Sequence, residues 1–205
     1  MIEIIYYLDK LFPNPKCELN YEKDYELLIA VMLSAQTTDK RVNMVTDILF
    51  KKYDSLEKLA SAEINDIIEI IKPIGTFNKK ASNVINIAKS LIADKKGIVP
   101  NDRTYLESLN GVGRKTANVV LSNIYDEPCI AVDTHVSRVS KRLGIARKND
   151  DVLVIEKKLN KKFPKEKLSR LHHQLVLFGR YHCKAKNPLC ENCELKKICK
   201  EKGKI

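Results

Sequence analysis

LNGVGRKTA, residues 109–117, sets two glycines one residue apart and then Arg114, Lys115 and Thr116 inside sequence that is otherwise helix-like. Upstream, NDRTYLESL has helical character with Asn101 or Asp102 as its cap. Downstream, TANVVLSNIY resumes with Ala117, Val120, Leu121 and Ile124 at helical spacing. The glycine stretch therefore joins two helices. Gly111 and Gly113 permit positive φ and close approach of another backbone, exposing successive amide N–H groups at a helix N-terminus. A loop of that kind grips phosphate. A nucleotide-binding P-loop is the competing reading, but it needs Gly directly before Lys-Thr and a strand upstream. Here Arg114 intervenes and a helix precedes.

The spacing resembles the helix-hairpin-helix element, which binds a DNA backbone through hairpin amides without reading sequence. A plain glycine-rich turn between two helices is the alternative. Composition agrees with a polyanionic partner: 37 Lys and Arg against 26 Asp and Glu give a formal charge of +11, which favours nucleic acid or an anionic membrane face. With 205 residues, 44% of them hydrophobic, the chain can bury a core as one domain or two small ones. The N-terminal MIEIIYYLDKLFPNP carries Glu3, Asp9 and Lys10 and stops at Pro13, so it reads as an amphipathic helix and not a signal peptide. No stretch approaches the roughly 20 apolar residues that cross a bilayer. A soluble cytoplasmic protein with no membrane partner is expected.

Helical periodicity dominates the chain. In DKRVNMVTDILFKKY, Val42, Val45, Ile48 and Leu49 recur at three- and four-residue steps, and KKASNVINIAKSLIADKKG repeats the pattern with Ala81, Val84, Ile85, Ala88 and Ile92. Gly97, after Lys95 and Lys96, reads as a helix stop, with Pro100 at the expected distance. DDVLVIEKKLNKKF and EKLSRLHHQLVLFGRYH add helical runs with basic outer faces. Alternation of period two is absent beyond a few residues, so the expected fold is all-α.

Two further stretches carry chemistry. HCKAKNPLCENCELKKICKEK places Cys183, Cys190, Cys193 and Cys199 in a C-x6-C-x2-C-x5-C pattern. Four thiols within seventeen residues, flanked by charge, imply metal ligation rather than core. Structural zinc sites usually present two short knuckles, whereas one short and two long steps suit wrapping a cube-shaped iron–sulfur cluster. Cys17 and Cys129 lie outside the pattern and read as ordinary buried thiols. In CIAVDTHVSRVSKRLG, Asp133 follows an apolar run and precedes a helix, so taken alone it is an N-cap. His135, His172, His173 and His182 are assigned no role.

The hairpin with Lys115, the aspartate eighteen residues later and the terminal four-cysteine loop together resemble the endonuclease III family of DNA base-excision glycosylases. The resemblance extends to LSAQTTDKRVN at 33–43, IGTFNKKA at 74–81 and LHHQLVLFGRYHC at 171–183. It implies two all-α domains with DNA across the cleft between them: a six-helix domain over residues 22–131 containing the hairpin, and a discontinuous cluster domain from 1–21 and 132–205. It implies a bifunctional enzyme, probing double-stranded DNA as a monomer, that removes oxidised pyrimidines of the thymine glycol type and cleaves the abasic site. Cys183, Cys190, Cys193 and Cys199 would hold a 4Fe–4S cluster. Gln36 would enter the helix at the vacated position, Gly111, Gly113 and Arg114 would grip the backbone, Lys115 would be the nucleophile and Asp133 the proton acceptor and counter-charge.

The chain departs from the family's pattern twice. Asn110 stands where the hairpin commonly has proline, and Thr76 with Phe77 stands where a leucine often wedges into the opposite strand, leaving Phe77 as the candidate stacking group. A mismatch-specific adenine glycosylase of the same superfamily would lack the hairpin lysine. A non-catalytic DNA-binding module would use the hairpin only as a grip. A small redox carrier would not need so large a basic helical scaffold.

Overall fold

The N-terminal sequence folds into α1 (Ile2–Leu11), which buries Ile4, Tyr7 and Leu8 and ends ahead of Pro13. The structure is a computed structural model and describes residues 2–201, among which there is no β-strand. The all-α expectation therefore holds. The chain divides into two compact units, Glu18–Tyr125 and a discontinuous one of Met1–Cys17 with Asp126–Ile205. Residue 1 and residues 202–205, at the ends of the division read from sequence, lie outside the described residues.

Glu18–Tyr125 contains α2 (Asp24–Leu33), α3 (Asp39–Lys52), α4 (Leu56–Ala60), α5 (Ile64–Ile71), α6 (Phe77–Lys95), α7 (Arg103–Ser108) and α8 (Arg114–Tyr125). Every residue of α2 from Tyr25 to Leu33 is buried, as befits a helix that is apolar all round. It packs against α3, α6 and α8. Its one buried acid, Glu26, accepts the backbone N–H groups of Glu22 at 2.7 Å and Lys23 at 3.2 Å, so the carboxylate caps its own helix.

The helical stripes read from sequence are core with three exceptions. Val42, Val45 and Leu49 are buried, but Ile48 is 57% exposed. At about 100° per residue, Ile48 falls roughly 90° round from the middle of the Val42–Val45–Leu49 stripe, beside Met44 on the flank. Ile92 and Ile124 are only half-buried. The stop after α6 is as expected: Lys96 takes φ +53°, Gly97 φ +81°, and the Gly97 N–H reaches back to the Leu91 carbonyl at 2.8 Å.

In the discontinuous unit, α9 (Thr134–Arg142), α10 (Val152–Lys162) and α11 (Leu168–Leu177) join α1 around a core that includes Leu8, Val136, Val139, Ile155, Leu171 and Phe178. One carboxylate ties its two chain segments together. Asp9 accepts from Arg170 Nε and Gln174 Nε2, both at 2.8 Å. Burial alone would raise the Asp9 pKa, but these two hydrogen bonds hold it below the ordinary carboxylate value. After Leu177 the helix widens into one π turn, Phe178–His182, closed by the Cys183 N–H on the Phe178 carbonyl at 2.6 Å. Gly179 in that turn lies so near α9 that a Cβ there would fall 2.7 Å from His135 Cβ.

Candidate nucleic-acid interface and cysteine site

The hairpin between α7 and α8 is closed by the Val112 N–H on the Leu109 carbonyl at 3.0 Å, with the Val112 side chain buried. Asp102, of the two candidate caps, accepts the Tyr105 N–H at 3.0 Å and starts α7. The two glycines have different reasons to be glycine. Gly111 takes φ +79°, and a Cβ there would fall 2.3 Å from Asn83 Nδ2. Gly113 takes no positive φ, and a Cβ there would meet nothing within 4 Å. Only Gly111 uses the conformational freedom that both glycines offer; Gly113 faces open space, where a ligand's backbone can come close. α8 begins just past it, with the Ala117 N–H on the Gly113 carbonyl at 3.0 Å. Arg114 and Lys115 are exposed in its first turn, at the positive end of the helix dipole and with no acidic residue in that turn.

Two other turns of this unit carry expected contact residues. Gln36 lies between α2 and α3, is exposed and takes φ +56°. Thr76, at the N-cap of α6, is also exposed and also takes φ +56°, with its hydroxyl donating to the Gly75 carbonyl at 2.7 Å. A left-handed conformation is uncommon for Gln and costly for β-branched Thr. Phe77 is half-buried as the first residue of α6, so Thr76 is the more exposed of the pair. Lys80 is buried, at 4% exposure, and its Nζ donates to the Ala35 carbonyl at 2.8 Å and the Thr37 hydroxyl at 3.2 Å. Burial lowers its pKa. Lys79, beside it, is exposed.

In the discontinuous unit, Asp133 Oδ1 accepts the Val136 N–H at 2.8 Å and caps α9. This is the role its sequence context assigns to it in isolation. The half-buried carboxylate keeps a second oxygen for other partners.

All four cysteines of the C-terminal pattern line one cavity of about 250 Å³, together with Arg142, Phe178, His182 and Leu189 among others. Each is half-buried, and Cys183 and Cys193 pack against the core of the unit. Burial raises the Cys193 thiol pKa, and the charges of Cys183, Cys190 and Cys199 raise it further. Among the described residues no group of three or more His, Cys, Asp or Glu is arranged to hold a single metal ion. Four thiols lining one cavity are a donor set that fits an iron–sulfur cluster. Of the other thiols, Cys129 is buried as expected, but Cys17 is only half-buried.

Sequence reasoning missed the residues that support these sites. Arg138 and Arg142, one turn apart on α9, hold the segment entering the cysteine loop: Arg138 donates to the Gly179 carbonyl at 2.7 Å and the Cys183 carbonyl at 3.2 Å. Arg142 donates to the Lys184 carbonyl at 2.7 Å and comes within 3.4 Å of Cys183 Sγ. Their i, i+4 spacing in SRVSKR was legible, but it is shared by most basic helix faces. Of the loop lysines, Lys186, Lys196 and Lys197 are exposed and Lys184 is half-buried.

Residues 29–165 match the family described as HhH-GPD superfamily base excision DNA repair protein. The chain is 50% identical over 202 residues to an Endonuclease III of Bacillus subtilis (strain 168), covering 97% of this chain and 92% of that one. It is 42% identical over 204 residues to the Endonuclease III of Escherichia coli (strain K12), covering 100% of this chain and 96% of that one. The fold superposes with a TM-score of 0.93, at 48% identity and over 98% of this chain and 96% of the other, on a trapped Endonuclease III–DNA covalent intermediate in an estranged-adenine complex.

Proposed function

The chain belongs to the HhH-GPD superfamily of base excision DNA repair proteins, and from that premise we propose that it is a DNA glycosylase and abasic-site lyase acting on oxidised pyrimidines in duplex DNA. One observation carries this reading. Over nearly its whole length the chain matches a protein caught covalently on DNA, and it keeps a lysine, Lys115, exposed at the start of the helix behind the hairpin.

A base inside a duplex is out of reach, so the nucleotide must be extruded at a cost of about a few kcal/mol. The hairpin holds the strand meanwhile: Gly113 leaves space for the backbone, and the first turn of α8, at the positive end of the helix, faces a phosphate. Gln36 and Thr76, exposed on strained turns, fill the stack where the nucleotide was.

Lys115 Nζ attacks C1′ of the extruded nucleoside as a neutral amine, and the bond to the base breaks with its electron pair leaving on the base. The sugar ring opens to an imine. Through the oxygen not used for the cap, Asp133 accepts the proton that the attacking nitrogen sheds and returns it to O4′ as the ring opens, and its charge offsets the positive charge that develops on the sugar. Loss of a C2′ proton then expels the 3′ phosphate, which cuts the strand by β-elimination.

Cys183, Cys190, Cys193 and Cys199, which line one cavity, would hold a 4Fe–4S cluster, and when bound it would tie the loop together. The chain's own residues then display Lys186, Lys196 and Lys197 towards DNA. No described helix is long and apolar enough to cross a membrane; the reading is of a monomeric repair enzyme acting on DNA in the cytoplasm. The test is a panel of duplexes each carrying one lesion. Release of thymine glycol with strand cleavage 3′ to it is expected, whereas base release without cleavage, or binding without either, would overturn the assignment.

A further inference from the structure

Among the described residues Lys80 is the most deeply buried lysine, and its place in the fold has no core rationale. It sits in the first turns of α6 at 4% exposure, next to buried Ala81 and one turn from buried Asn83 and Val84. A methionine or leucine would fill that volume without taking an ammonium out of water. No carboxylate lies within ion-pair range of it among the described residues. Its acceptors are the Ala35 carbonyl at 2.8 Å and the Thr37 hydroxyl at 3.2 Å. These two groups flank Gln36. The same turn is closed on itself by the Thr37 N–H on the Ser34 carbonyl at 3.0 Å and by the Thr37 hydroxyl on the Ala35 carbonyl at 3.3 Å.

The other end of Lys80 reaches the second strained turn. Its backbone N–H donates to the Thr76 carbonyl at 3.1 Å, closing the first turn of α6 on the residue that holds φ +56°. Neither Gln36 nor Thr76 is a glycine, so neither turn holds its left-handed conformation by its own preference, and the surroundings must impose it. One residue touches both. A cation donor makes a stronger and shorter bond to a carbonyl than a neutral donor does, which suits a clamp.

We propose that Lys80 is a positioning residue: its ammonium locks the Ser34–Thr37 turn to the first turn of α6, so that Gln36 and Thr76 are presented as one rigid pair to the gap left by an extruded nucleotide. The proposal rests on the DNA-glycosylase reading above. It also removes Lys80 from the possible nucleophiles, since its nitrogen is buried and engaged.

The test compares the affinities of the full-length protein for two duplexes, one undamaged and one carrying a tetrahydrofuran abasic analogue, together with the melting temperature of each variant. Lys80→Met keeps the length and removes the donor, and the preference for the abasic duplex falls roughly tenfold, in line with losing a charged hydrogen bond. Thr37→Val removes one of the two acceptors, and the preference falls roughly threefold with the fold retained. In both variants the single-turnover excision rate falls with the preference, because the gap is filled less often. A merely structural lysine would lower the melting temperature and leave the preference unchanged, and that result overturns the proposal. If Lys80→Met does not fold, Thr37→Val decides alone: an unchanged preference in the folded variant overturns it. Wild-type protein that shows neither preference nor excision would instead overturn the glycosylase reading itself.

Discussion

The hairpin and the cysteine loop both present backbone and basic side chains to a ligand, but they are held by different means. The hairpin is fixed by the protein's own packing: Gly111 seats against Asn83, Val112 is buried, and α8 behind it buries Ala117 to Ser122 without interruption. Residues 183–199 have one short 3-10 turn, Glu194–Lys197, and only one buried side chain, Leu195. That loop is tied on from outside, by Arg138 and Arg142, by the Tyr7 hydroxyl on the Asn192 carbonyl at 2.9 Å and by the exposed Lys10–Glu194 pair at 2.6 Å. A site that buries its own apolar side chains keeps its shape without a ligand. One that buries almost none depends on such outside ties, to which a cluster held by its thiols would add.

The largest expected effect follows from that contrast. Cys193→Ser removes one ligand from the four-thiol cavity, and the loop loses order at a cost on the order of several kcal/mol, as when a structural metal is lost. Iron content and the broad visible iron–sulfur absorption fall together, and limited proteolysis cuts between residues 183 and 199. A colourless, fully folded wild-type protein containing stoichiometric zinc would contradict this half of the comparison.

Gly111→Ala comes next. The new Cβ meets Asn83 Nδ2 at 2.3 Å on a backbone held at φ +79°, so the change costs about 1–3 kcal/mol. Denaturant unfolding measures it, and a loss below about 0.5 kcal/mol would show that the hairpin adapts freely. Asp133→Asn is smaller for stability and larger for chemistry. The amide oxygen still accepts the Val136 N–H, so stability changes by only about 0.5 kcal/mol, while single-turnover excision slows on the order of 100-fold or more through loss of the proton acceptor. Equal, small losses in both would leave Asp133 as a cap alone. Gly113→Ala has the least effect on the fold, within about 0.5 kcal/mol, since its Cβ enters open space. Its effect appears instead as several-fold weaker binding to undamaged duplex at fixed salt, because that space is where the DNA backbone approaches.

The helices, the Asp102 and Asp133 caps, the Gly97 stop and the hairpin were legible because each is a local signal, a periodicity or a cap residue beside a helix start. The turns at Gln36 and Thr76 left no such mark. Each puts a residue other than glycine in a left-handed conformation, which no local residue pattern announces. Nor does the Lys79-Lys80 pair say which member is buried, since a four-carbon stem lets either lie along a core while its charge seeks an acceptor. Ile48 misled because its step from Val45 is helical while its angular position lies off the buried stripe. The π turn after Leu177, which delivers Cys183, adds one residue per turn and is invisible to any pattern of period 3.6. Within the cysteine loop the four-cysteine pattern was legible from spacing, and its thiols line one cavity, but the Arg138 and Arg142 ties were not, because they join residues more than forty positions apart.

The central claim, that the lysine behind the hairpin is the nucleophile, is tested most directly by borohydride reduction of the protein on abasic-site duplex. Wild type is expected to yield a covalent protein–DNA adduct. Lys115→Gln, which keeps most of the side-chain length in an exposed first-turn position, is expected to fold and bind the duplex yet give no adduct and release no thymine glycol. A trapped adduct from the glutamine variant would contradict the account, because only an amine can form the imine that borohydride fixes.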